Sequence, residues 1–281
     1  MLRGFGAALL AAVAAIAVGA SAAHAADHEV WDERGPVRAS FLWSDGPDFG
    51  WTDLWVTVTR DGEVVHDEPV DVPGCEDYAC GPMSQRSTLD DRPSIQLAHL
   101  DGDREPEVVT GIFTSTGFCC EVTQVLRWRG DHYAVATHSF EMASFRLADL
   151  DRDGRREFSS RDSRFRYAFS SGAGSWNPPQ VWAFADGRFR DVTRRHPSLA
   201  RRDARAAMRA YQRVLRSRYP NSGAGVLAAW VADQRLLGNR KAADRFLARE
   251  RRAGRLDGLP GYRSSGAYLR ALRVKLARWG Y

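Results

Sequence analysis

The stretch Phe145–Phe158, FRLADLDRDGRREF, places Asp149, Asp151 and Asp153 at alternate positions, followed by Gly154 and then Glu157. Three carboxylates two residues apart, with a glycine where the chain must turn sharply, can surround a hard cation with oxygen. Ca²⁺ is the ion such a loop suits. A calcium loop between two helices needs a Glu at its twelfth position. Counting from Asp149 that position is Ser160, and the flanking residues read as strands. The spacing therefore predicts a strand–loop–strand site ligated by Asp149, Asp151, Asp153 and Glu157, with the Arg155 carbonyl as a further ligand.

The same spacing recurs upstream. In IQLAHLDGDREPEVVTGIF, Asp101, Asp103 and Glu107 match Asp151, Asp153 and Glu157 at a period of 50 residues. His99 stands where Asp149 would be, and Arg104 where Gly154 would be, so this is a degenerate second metal loop. A third, partial copy runs from Asp45 to Asp53, where Gly50 and Asp53 fill the places of Gly154 and Glu157. Chance accounts for that copy as well as descent does.

The elements around these loops read as strands. Alternating apolar residues flank turn dipeptides at Asp61-Gly62, Gly130-Asp131 and Asp186-Gly187, the pattern of antiparallel hairpins. Phe165, Tyr167 and Phe169 alternate with Arg164, Arg166 and Ala168, which predicts a half-buried strand with an aromatic face. Beyond His196 the period changes. Ser198 is placed to cap a helix carrying Ala204, Met208, Tyr211 and Leu215 on one face. Further helices are predicted over Val226–Leu237, Lys241–Ala253 and Ala267–Arg278.

A unit of about 50 residues made of a loop and several strands, with DLDRDG followed by Glu-Phe, resembles the FG-GAP repeat, also called the VCBS or integrin-alpha N-terminal repeat. LDGDREPEVVTGIFTSTGFCC, FRLADLDRDGRREF and VWAFADGRFRDVTRRHP together are similar to secreted bacterial repeat proteins of unassigned activity. The resemblance implies propeller-blade-like antiparallel β repeats, two clear and one partial, with calcium between the first two strands of a unit. It assigns Asp149, Asp151, Asp153, the Arg155 carbonyl and Glu157 as ligands. A closed propeller commonly needs at least four blades, so an open or sandwiched sheet is the other expectation.

Residues 1–25 have Arg3, an apolar run from Phe5 to Val18 and Ala23-His24-Ala25, the pattern of a cleaved secretory signal. No later stretch is long and apolar enough to span a membrane, so the expected location is secreted or extracytoplasmic. The expected organisation is a β-rich domain over 26–196 and an Arg-rich helical module over 197–281. Charge divides at the same place. From Asp27 to His196 there are 19 basic and 30 acidic residues, and from Pro197 to Tyr281 there are 20 basic and 5 acidic. Solvated helix faces are the plainest reading of this surface. Binding of polyanions and docking onto the acidic half are the others.

Export and four cysteines suggest disulfides. Of the three connectivities, the tight loop PGCEDYACGP favours Cys75–Cys80, which leaves Cys119 and Cys120 as a vicinal pair or as thiols. Sequence signatures for a serine nucleophile elbow, a zinc protease, a phosphate loop and a zinc deaminase are missing. The remaining histidines, His196 among them, are scattered and explained by surface or strand positions. The expectation is a binding or interaction module at or outside the cell envelope, with a cell-surface or wall component as partner and no nucleic acid. The alternative is a secreted hydrolase with a structural calcium site.

Overall fold

The computed structural model describes residues 26–46, 50–75, 80–83, 93–114 and 120–281; the predicted signal segment and Cys119 lie outside them. The described chain is mainly β, in three antiparallel sheets followed by four α-helices. Sheet 1 is the meander β1 (His28–Arg34), β2 (Val37–Asp45), β3 (Trp51–Arg60) and β4 (Glu63–Pro69). Sheet 2 contains β5 (Gly81–Pro82), β6 (Ile95–Ala98), β7 (Glu107–Thr110), β8 (Ile112–Phe113), β9 (Glu121–Trp128) and β10 (Tyr133–Glu141). Its main path runs β6–β7–β9–β10, with β8 also paired to β9 and β5 on the edge of β8. Sheet 3 is the meander β11 (Arg146–Ala148), β12 (Glu157–Arg161), β13 (Pro179–Ala185) and β14 (Arg188–Asp191).

Sheet 2 is buried on both faces, and its alternation divides neighbouring residues between two cores. Leu97, Val108 and Leu126 pack with Val37, Phe41, Val56 and Val58 of sheet 1. Ala98, Val109 and Val125 pack with Phe145, Phe158 and Phe184 of the sheet 3 side. The sheets therefore stack in chain order, like successive blades. No closed propeller forms among the described residues. The three predicted hairpin turns are present, with Asp61 and Gly62 at φ 50° and 85°, Gly130 at 103°, and Asp186 and Gly187 at 55° and 73°. Two consecutive left-handed residues match the right-handed strand twist, which explains the Asp-Gly pairs.

The predicted third loop copy is not equivalent to the other two. Asp45–Asp53 spans the connection between β2 and β3, the second and third strands of sheet 1, whereas the Asp101 and Asp149 loops join the first and second strands of their units. In sheet 1 that first connection is instead a tight turn at Gly35. The predicted Cys75–Cys80 disulfide is formed, with a Cα–Cα distance of 5.3 Å. Cys120 is also disulfide-bonded.

Two local expectations are corrected. Residues 165–169 do not form a strand. Ser163–Phe165 is a short 3₁₀ turn and Tyr167 has φ 60°, so the chain reverses. Phe165 and Phe169 are buried and Tyr167 is exposed. Ser198 does not cap the first helix. α1 (Pro197–Leu215) begins with Pro197 in its first turn, where a missing N–H is harmless, and His196 is the residue at its cap position. The other helices are α2 (Ala224–Leu236), α3 (Arg240–Arg252) and α4 (Ser265–Arg278). Ser264 caps α4 by accepting the Ala267 N–H at 3.2 Å.

The helices share a core with the loop after β12. Phe165 and Phe169 pack among Ala207, Leu227, Tyr268 and Leu272. The rings of Trp279 and Tyr281 lie 4.9 and 5.5 Å from Phe165, and the Tyr281 hydroxyl donates to Asp162 at 2.7 Å. α2 lies so close to the loop that a Cβ on Gly225 would stand 2.4 Å from the Gly174 carbonyl oxygen. An ion pair across this junction joins Arg161 of β12 to Asp203 of α1, with the arginine on the sheet and the carboxylate on the helix. Trp176 also donates to Asp203, at 2.9 Å. Asp233 of α2 is fully buried beside this group, and burial, reinforced by the neighbouring Asp203 charge, pushes its carboxyl up to about 9.

Candidate metal centre

The two acidic loops occupy matching places. Ala98 pairs with Glu107 across β6–β7, and Ala148 pairs with Glu157 across β11–β12, so each glutamate starts the second strand of its unit in the same register. Each carboxylate turns back under its own loop. Glu107 accepts the Leu100 N–H at 2.8 Å, and Glu157 accepts the Leu150 N–H at 3.0 Å. The loops also touch. The Arg156 N–H donates to the His99 carbonyl at 2.9 Å, and the Arg155 side chain passes over Gly102. The period of 50 residues read from the sequence is thus a repeat of backbone register and of side-chain role.

In the Asp149 loop, Asp149, Asp151 and Asp153 each offer a carboxylate oxygen, and these oxygens lie within 4.8 Å of one another. All three side chains are exposed. Asp149 accepts the backbone N–H groups of Asp153 and Gly154 at 3.1 and 3.0 Å, which bends the loop around its carboxylate. Arg152 and Gly154 adopt φ 66° and 87°. Gly154 therefore holds a conformation that a side chain would strain. Asp153 accepts the Arg155 N–H at 2.9 Å and pairs with the Arg155 guanidinium, which lowers its pKa. Glu157 lies beneath, 6% exposed. Burial raises its pKa, opposed by the Leu150 N–H and reinforced by the charge of Asp151. The donor set is hard oxygen at the rim with a carboxylate at the base, which fits Ca²⁺ better than a rigid octahedral ion.

The Asp101 loop keeps three of the four carboxylates and has an arginine among them. Asp101, Asp103 and Glu107 again bring oxygens within 4.8 Å of one another. Here Arg127 of β9 reaches in, pairing with Asp101 and with Asp103 at 3.2 Å. Its guanidinium neutralises both aspartates. Glu107, almost fully buried, is pushed up to about 8 by burial and by the charges of Asp101 and Asp103. Arg104 lacks the left-handed conformation of Gly154, so the two loops differ in path as well as in charge. His99 occupies the place of Asp149, and its Nδ1 is buried without a hydrogen-bond partner.

A residue that sequence reasoning passed over joins the first loop. His196, at the cap position of α1, is 6% exposed, and a ring nitrogen lies within 4.8 Å of oxygens of both Asp151 and Glu157. This corrects its reading as an incidental surface or strand histidine. Nothing in its sequence spacing could have shown this, because the contact is made by the fold.

No family model matches this chain, and no solved structure matches it. The chain is 31% identical over 151 residues to a protein of Synechocystis sp. described as a probable thylakoid lumen protein. That match covers 51% of this chain and 44% of the relative, so the chain spans less than half of the relative's length.

Proposed function

We propose that this chain is an extracytoplasmic calcium-binding repeat protein of the FG-GAP/VCBS type, acting by binding rather than by catalysis. The observation that carries the reading is the gathering of Asp149, Asp151 and Asp153 oxygens within 4.8 Å of one another, with Glu157 beside Asp151, on a loop shaped by backbone bonds to Asp149. Calcium would be held by these four carboxylates and the Arg155 carbonyl. It would offset the repulsion among like charges packed within a few Å. The repeated register of the Asp101 loop, with Arg127 as its internal cation, supports the assignment of both loops to one kind of unit. The lumenal description of the Synechocystis relative agrees with the export signal read in residues 1–25. The binding surface would meet a component of the cell surface or wall.

Calcium here is structural. An ion that binds only the folded chain raises its apparent stability by mass action. Thermal melts with and without a chelator test this. The melting temperature falls on chelation, and excess calcium restores it. A melting temperature indifferent to chelator would overturn the structural role.

A further inference from the structure

His196 takes no part in the calcium reading, yet it lies beside the loop. The Thr193 hydroxyl accepts the Val181 N–H at 2.9 Å and donates to Asp191 at 2.6 Å, and the Thr193 N–H also donates to Asp191 at 2.9 Å. Pro197 follows in the first turn of α1. Between these points His196 is a buried residue, 6% exposed. None of its ring nitrogens is hydrogen-bonded among the described residues, although one lies within 4.8 Å of Asp151 and Glu157. The nitrogen, the buried Glu157 and the exposed Asp151 together form a mixed nitrogen and oxygen donor set.

We propose that Asp151, Glu157 and His196 bind a divalent ion of borderline softness, for which zinc is the probe. Calcium and magnesium take oxygen donors, whereas imidazole nitrogen suits zinc and its neighbours in the first transition row. Two donors on one zinc ion, each about 2.0–2.2 Å from it, stand no more than about 4.4 Å apart. The separations in the fold, all within 4.8 Å, are close to this limit. Three protein ligands leave one position of a tetrahedral ion open to solvent. The site shares Asp151 and Glu157 with the calcium loop but stands on His196, which that loop does not use. Zinc and calcium therefore compete through Asp151. Zinc would also tie the start of α1 to the head of β12, and so fasten the helices to sheet 3.

Calorimetric titration of the full protein with zinc and with calcium tests this, using His196→Gln and Asp153→Asn. His196→Gln is expected to weaken zinc by about tenfold or more and to leave calcium affinity unchanged. Asp153→Asn is expected to weaken calcium and spare zinc. Zinc affinity that survives His196→Gln, or wild-type protein that takes up no zinc, overturns the proposal. If His196→Gln does not fold, the ring resonances of His196 in the wild-type protein decide. They must shift with one equivalent of zinc, and resonances that stay in place overturn the proposal. Zinc binding without calcium binding would contradict the calcium reading and leave this one standing.

Discussion

Arg127 and the Asp149 loop offer two answers to one problem, which is how to neutralise carboxylates crowded at the head of a β unit. In the Asp101 loop the cation is covalently part of the chain, and Asp101 is buried beneath it. Removing one member of a buried pair leaves the other uncompensated, a loss of about 3–5 kcal/mol. Arg127→Met is therefore expected to lower stability by about that much in urea denaturation, and added calcium to restore part of the loss. Asp233 offers a second test at this scale. In the fold it keeps its proton up to about pH 9, whereas the ordinary aspartate value is 3.8. The folded state binds one more proton between those values, so its stability falls as pH rises through the window. Asp233→Asn removes that slope. The variant should match wild type near pH 4 and gain on it by about 1.4 kcal/mol for each pH unit above that, up to about pH 9, measured by denaturation across pH. A constant difference at all pH values would count against a protonated Asp233.

At the scale of elements, the loops and hairpins were legible in the sequence and the junctions were not. Asp-Gly turns and alternating runs are local signals, and the acidic spacing repeats with the register of Ala98–Glu107 and Ala148–Glu157. Phe165, Tyr167 and Phe169 show why local period can mislead. Three aromatics two apart imitate a strand, but only Phe165 and Phe169 are buried, and they serve the helical core. His196 was not legible because its partners lie on a loop far upstream. The close approach of α2 to the 170–175 loop was equally invisible, since it depends on the missing side chain of Gly225. Gly225→Ala is expected to lower stability by about 1–3 kcal/mol through overpacking. Gly266→Ala in α4, where the nearest atom to an added Cβ is a flexible Arg270 nitrogen at 3.6 Å, should instead raise stability by about 0.5–1 kcal/mol. Equal effects at the two sites would show that the α2–loop contact is loose.

For the whole molecule, three stacked sheets and four helices form a continuous series of cores, with sheet 2 between its neighbours and the Phe165–Phe169 turn set into the helices. The net charges of the two halves oppose each other, but the junction is built from aromatic rings and from an Arg–Asp pair of the opposite sense. The helices are thus held by apolar contact, and Phe165→Ala should cost about 3–5 kcal/mol and speed hydrogen exchange in α4. The acidic loop stands above this framework as the feature most suited to a ligand. Calcium titration of the wild-type protein, Asp149→Asn and Asp101→Asn by calorimetry tests it most directly. The expected result is saturable binding with a dissociation constant on the order of 10⁻⁴–10⁻³ M, lost in Asp149→Asn and kept in Asp101→Asn. Wild-type protein that gives no calcium heat, or equal loss in both variants, would contradict the account.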